Sequence, residues 1–211
     1  MAFTMKDDRP VSTGRIETLV DGIFAVAMTI LVLDLKAPSP GSRMGRDVFL
    51  SFVSELGDPL LNFIISFLLL SLFWIWHHRQ FNEIKRSDSF LLGINLLLLA
   101  AISMIPFTTS MMSRFLNIWE ADMFFHLNIL LVGSLMVLNW WYATKNFRLV
   151  DKNIDPARVR REMMRGLATP VMALAGMGAS LLIKGDSSVV YLLVPFLSRA
   201  MLRIPSRHKP S

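Results

Sequence analysis

The sequence predicts an all-α, polytopic membrane protein with six transmembrane helices in one domain over residues 1–211. Three observations carry this. Long apolar runs recur along the 211 residues, charged residues sit almost entirely between those runs, and 53% of the chain is hydrophobic. Mean hydropathy is +0.48. A helix rising 1.5 Å per residue needs about 20 apolar residues to cross a hydrocarbon layer of about 30 Å. A soluble domain of this size buries a core without so many runs of that length.

The first expected span covers residues 17–35 and ends at Lys36, before the breaker cluster Ala37-Pro38-Ser39-Pro40-Gly41. Ala25-Val26-Ala27 imitates a leader cleavage site but lies inside the apolar run, so this span is expected to stay in the mature protein. A polar connection with a short amphipathic stretch around 48–56 leads to the second span, 59–78. Pro59 suits a first helical turn, where its missing N–H costs little, and His77-His78-Arg79 closes the span. The third, 90–109, holds Pro106 near its end, which predicts a kink or an early stop. The fourth, 123–144, closes on Trp140-Trp141-Tyr142, a cluster suited to the membrane interface. A basic loop, Lys145–Arg165, precedes the fifth, 167–183, where the pairs Gly176/Ser180 and Ala175/Ala179 permit close helix contact. The sixth, 189–204, is the shortest.

Net charge is +6 and the pI is near 10.1. In a membrane protein this excess belongs to cytoplasmic loops beside anionic lipid rather than to nucleic-acid binding. With both termini cytoplasmic, 17 of the 22 Lys and Arg residues fall inside, leaving Lys36, Arg43, Arg46, Arg114 and Lys184 outside. The expected location is therefore a membrane, with both termini cytoplasmic, lipid as partner and no nucleic acid. The absence of cysteine excludes disulfides, thiolate metal sites and thiol chemistry.

Asp21 lies inside the first span. An ionised carboxylate at mid-membrane costs about 2.5–3.5 kcal/mol on insertion scales, so it needs a partner or water. Arg15, six residues earlier, is about 120° away around the helix, so the partner is expected from another helix. Asp21 then serves either an ion or proton site or a helix-packing network. Gly22, Val26, Thr29 and Leu33 recur at steps of four, three and four and form one narrow stripe. From spacing alone that stripe is ordinary packing surface or a pore lining, and Thr29 can bond back to the carbonyl four residues earlier.

His77 and His78 invite a metal reading, but adjacent helical residues diverge by about 100° and chelate one ion poorly. No HExxH or other metal spacing is present, so structural hydrogen bonding or interfacial anchoring is the stronger reading. His126 and His208 are isolated. No phosphate-binding loop, nucleophile elbow or triad pattern occurs, and no enzyme activity or cofactor is expected. The carbonyl-filter signature TVGYG of ordinary potassium channels is missing. Arg158, Arg160, Arg161 and Arg165 lack the apolar span of a voltage-sensing helix.

Arg15-xxx-Leu19-Val20-Asp21 and the apolar run after it resemble the RxxxFSD signature that opens the first helix of the transmembrane protein 175 family. The likeness continues at Trp74–Phe81, similar to that family's Trp-rich stretch ending in His-His, and at Asn95–Thr108 with Ile105-Pro106-Phe107. Leu19 stands where the family has Phe, and Val20 where it has Ser. The resemblance implies a potassium-selective cation channel, a homotetramer of six-helix subunits with the pore lined by the first helix. It puts an apolar constriction at Val26, a hydroxyl layer at Thr29 and a second apolar ring at Leu33. Arg15, Asp21 and His77 become a structural polar network, and potassium is the permeant ion. The rival readings are a proton- or cation-coupled secondary transporter using Asp21 and a membrane-embedded metalloenzyme built on His77 and His78.

Overall fold

The computed structural model describes residues 12–36, 45–116, 118–182 and 187–202. The breaker cluster 37–41 and the basic residues Lys6, Arg9, Arg43, Lys184, Arg203, Arg207 and Lys209 lie outside them. Helix α1 is Thr13–Leu31, extended by a 3-10 turn, Val32–Asp34. The short helix α2, Arg46–Glu55, leads into α3, Gly57–Glu83. Helices α4, Ser89–Arg114, and α5, Trp119–Thr144, follow. Then come α6, Pro156–Leu182, a 3-10 segment, Ser187–Leu193, and α7, Val194–Leu202.

Five of these helical stretches are long and apolar enough to cross a membrane, and the chain is an integral membrane protein. The expected sixth span is instead a mixed segment. Its seven 3-10 residues rise about 2 Å each and its nine α residues about 1.5 Å each, about 28 Å in all. That nearly matches the hydrocarbon layer despite the small residue count.

Three other boundaries differ most from expectation. Helix α3 runs past His77-His78 to Glu83. Helix α4 continues through Pro106 to Arg114 rather than stopping. On that turn Thr108 Oγ1 and Thr109 Oγ1 donate to the carbonyl of Ile105, at 3.1 and 2.8 Å, so both hydroxyls are satisfied within their own helix. Helix α6 begins in the middle of the expected basic loop. Asp155 caps it by accepting from the Ala157 N–H at 2.8 Å, and Pro156 supplies a first helical residue with φ already set.

The bundle is held by apolar faces and by close approach. Helix α1 packs on α3 and α4; α4 packs on α5 and α5 on α6, and the 3-10 segment meets α6, α3 and α5, with α7 against α6. The buried face of α1 is Ile16, Val20, Phe24, Ala27 and Leu31, steps of four, four, three and four that give one helical stripe. Gly176 and Ser180 are both buried in the α5–α6 region, as the small-residue pattern predicted, whereas Ala175 is exposed. A Cβ on Gly176 would lie 2.5 Å from His126 Cε1; only hydrogen fits there. At the end of the bundle holding Glu83 and Thr144, Lys85 N–H donates to Leu149 O at 2.8 Å and joins the two loops.

Candidate functional site

The stripe Gly22, Val26, Thr29 and Leu33 faces away from the rest of the subunit. All four residues are exposed, with Val26 at 54% and Leu33 at 70%. Phe24, on the opposite face, is 1% exposed. Helix α1 is also the least covered span, with 28% of its apolar window buried against 39–50% for the other four. Exposed apolar residues are ordinary on a membrane protein, so exposure alone does not separate a lipid face from a pore face. Polarity separates them. Arg15 and Thr18 continue the same stripe and are exposed too, so the uncovered face carries a cation, two hydroxyls and a glycine among its apolar residues.

The hydroxyls have a defined direction. Thr29 Oγ1 lies 3.0 Å from the Ala25 carbonyl and 2.9 Å from that of Val26. Thr18 Oγ1 donates to Gly14 O at 2.9 Å. A hydroxyl that gives its proton to the backbone keeps its oxygen lone pairs free to accept. Thr29 therefore presents an oxygen with free lone pairs on the uncovered face. Thr18 does the same about three turns earlier, a position the spacing argument did not single out.

Two polar clamps fix the rotation of α1. Trp74 Nε1–H on α3 donates to Asp21 Oδ1 at 2.8 Å, so the partner sought for Asp21 comes from another helix and is an indole. At the far end, Asp34 Oδ1 accepts from Ser110 Oγ at 2.7 Å and from the Arg114 guanidinium at 3.3 Å, both on α4. With Asp21 held toward α3 and Asp34 toward α4, the stripe between them is held outward.

His77, three residues after Trp74, faces a different neighbour. It is buried, stacks on Phe81 with ring centroids 4.3 Å apart, and meets Asn95 Oδ1 through Nε2 at 2.9 Å. The amide oxygen can only accept, so His77 Nε2 carries the proton. Asn95 Nδ2 donates to Leu91 O and Asn139 Oδ1, Asn139 Nδ2 to Gln80 Oε1, and Gln80 Nε2 to Met136 O. This chain of amides ties α3, α4 and α5 together. Arg15, Asp21 and His77 are thus not joined by direct bonds within the subunit: Asp21 bonds Trp74, His77 bonds Asn95, and the Arg15 guanidinium has no hydrogen-bond or ion-pair partner among the described residues. Trp74, Asn95, Asn139 and Gln80 were missed as network members. The legible signal was three amides on otherwise apolar runs, since each must find a partner in hydrocarbon.

His78 is exposed and stacks on Trp74, so the two adjacent rings serve different surroundings. Among the described residues no group of three or more His, Asp or Glu side chains could hold a metal ion.

The fold and site define a class: a helical membrane protein whose first helix is pinned at two points and turns a stripe of mixed polarity away from its own bundle. The family model described as endosomal/lysosomal potassium channel TMEM175 matches residues 15–106, which include most of α1, all of α3 and most of α4. Identity is 28% over 160 residues to a potassium channel of Streptomyces collinus, covering 72% of this chain and 75% of that one. A potassium channel of Chamaesiphon minutus is 37% identical over 105 residues, covering 49% of this chain and 51% of its own length. The crystal structure of a lysosomal potassium-selective channel TMEM175 homolog from Chamaesiphon minutus shares the fold, with a TM-score of 0.76 at 24% identity over 90% of this chain and 97% of that one. The chain is thus similar to the TMEM175 family over residues 15–106 in sequence and over most of its length in fold.

Proposed function

We propose that this chain is the subunit of a potassium-selective channel, passive in transport, with a central pore walled by the α1 helices of four copies. The observation that carries the reading is the stripe itself: it is uncovered in the subunit, of mixed polarity, and held outward by Asp21–Trp74 and Asp34–Arg114. Similarity to the TMEM175 family model and the naming of its bacterial relatives as potassium channels support it. Val26 forms the apolar constriction and Leu33 a second apolar ring. Between them four Thr29 hydroxyl oxygens form a layer that ligates a partly dehydrated cation. An apolar ring too narrow for hydrated ions gates by dewetting. The subunit crosses a bacterial inner membrane six times, the mixed 3-10/α7 segment being the sixth crossing. Both termini lie in the cytoplasm, and a reporter fused to the C-terminus is expected to give a cytoplasmic signal.

The test is the reversal potential of the purified protein in bilayers with potassium and sodium on opposite sides. Thr29→Ala should move it toward the sodium value while current persists. Val26→Asn should raise current, with weaker potassium preference. Phe24→Leu, on the buried face, should leave the reversal potential where it was. If the Val26 and Thr29 variants match the parent in both current and reversal potential, the pore does not run along this stripe. Saturating, coupled flux without current steps would favour a transporter instead.

A further inference from the structure

We propose that a cleft between α3, α6 and α7, at the basic end of the bundle, binds the headgroup of an anionic phospholipid. Its volume is about 340 Å³, and it is lined by Ile75, Trp76 and Arg79 of α3, Arg165 and Thr169 of α6, and Pro195 and Arg199 of α7, among others. Each helix contributes an arginine and, four residues away, a less polar residue: Arg79 with Ile75, Arg165 with Thr169, Arg199 with Pro195. Residues four apart lie on one helix face a turn apart. Helix α6 runs opposite to α3 and α7, so all three arginines stand at the basic end and all three partners lie one turn deeper. A pocket cationic at its mouth and apolar below matches a phosphate joined to acyl chains. Basic pockets between transmembrane helices are a known form of phospholipid headgroup site.

Two further observations point to a ligand. Only two buried side-chain polar atoms among the described residues lack a hydrogen-bond partner, Trp76 Nε1 and Glu162 Oε2. Both residues line this region: Trp76, 8% exposed, lines the cleft, and Glu162 lines an adjoining cavity of about 290 Å³ that shares Arg79 and Arg165 with it. An unmade bond on a buried donor is costly, so a native structure leaves few. Arg79 and Arg199 have no ion-pair partner among the described residues, whereas Arg165 is paired with Glu162 and Arg158 with Glu83. The orphan donor and the two free guanidinium groups suit a phosphodiester. The orphan carboxylate oxygen suits a headgroup hydroxyl. Phosphatidylglycerol carries both, one negative charge and two hydroxyls, and is the occupant this chemistry selects.

The experiment is binding of phosphatidylglycerol to the full-length protein in neutral detergent, read by native mass spectrometry and by thermal shift. Phosphatidylcholine and inorganic phosphate are run in parallel. Phosphatidylglycerol should remain bound and raise Tm; phosphatidylcholine and phosphate should not. With about one arginine's worth of surface attraction lost at each site, Arg79→Gln with Arg199→Gln should weaken the lipid roughly thirtyfold. Trp76→Phe keeps the ring and removes the N–H. It should be at least as stable as the parent in phosphatidylcholine, because an orphan donor is gone, yet gain less from phosphatidylglycerol. Should the double variant not fold, Arg199→Gln alone reads the same loss. Equal retention of both lipids, an equal shift with phosphate alone, or unchanged binding in the arginine variants overturns the proposal.

Discussion

Asp21 illustrates how a single residue's position is settled by its partner rather than by its own helix. It lies about 100° from Gly22 on α1, off the centre of the uncovered stripe, and its carboxylate takes the Trp74 indole N–H at 2.8 Å. That bond sets the rotation of α1 and leaves Asp21 beside the proposed pore rather than at its narrowest ring. Hydrogen bonds inside membrane bundles average well under the strength of an isolated charged pair, so removing this one should cost about 1 kcal/mol. Trp74→Phe and Asp21→Asn should each lower thermal stability modestly, and the double variant should cost less than the two added together. Strict additivity in that cycle would mean the two side chains do not act through one another. Sequence alone showed that Asp21 needed a partner on another helix, because a carboxylate in hydrocarbon cannot stand alone. It could not choose between Trp74 and His77, three residues apart on α3, because that depends on how α3 is rotated between α1 and α4.

The same distinction runs through the helices as elements. Existence and order of the five long spans were legible, since hydropathy reports the length of chain matched to the hydrocarbon layer. Their ends were not. Hydropathy stops where charge begins, whereas α3 and α6 continue into charged sequence, as far as Glu83 and back to Pro156. A cap reading would have found the second of these, because Asp155-Pro156 is a strong N-terminal pair. The 3-10 stretch 187–193 had no such signal. It is held by tertiary bonds: Ser187 Oγ donates to Asp122 Oδ2 at 2.8 Å and also lies 2.8 Å from His126 Nε2. With the Ser187 proton spent on Asp122, His126 Nε2 is the donor, and Nδ1 accepts from Tyr191 O–H at 2.8 Å. The imidazole is therefore locked, and it lies against Gly176. Gly176→Ala would force a Cβ to within 2.6 Å of Nδ1; overpacking of this kind costs about 1–3 kcal/mol. Thermal melts should show Gly176→Ala several degrees below the parent, while Gly178→Ala, with nothing within 4 Å of its Cβ, should be neutral or slightly stabilising. Equal melting of the two would place the α5–α6 contact elsewhere.

At the scale of the molecule, α3 to α6 and the 3-10 segment close on one another, and α1 packs on the outside of that bundle against α3 and α4. A marginal helix with a hydropathy of 2.1 and only 28% of its window covered either faces lipid or meets other copies of itself. The two cases differ in one measurable distance. If four α1 helices surround an axis, Leu33 of one copy lies near Leu33 of its neighbours; if α1 faces lipid, it does not. The chain contains no cysteine, so Leu33→Cys introduces the sole thiol in the protein. Treated in the membrane with a short bismaleimide, it should give covalent dimers and nothing larger, because each chain offers one thiol and one linker consumes two. Leu174→Cys is the matching control: it is 57% exposed, on α6, separated from α1 by α4 and α5. It should remain monomeric on a denaturing gel. Native mass spectrometry of the uncross-linked protein should give about four times 23.9 kDa, since a symmetric closed ring of identical contacts has a defined copy number. Dimers from Leu174→Cys and none from Leu33→Cys would put α6 at the interface and α1 in lipid. The stripe would then have to be read as a membrane-facing surface with two misplaced hydroxyls and an arginine, which the cost of polar groups in hydrocarbon argues against.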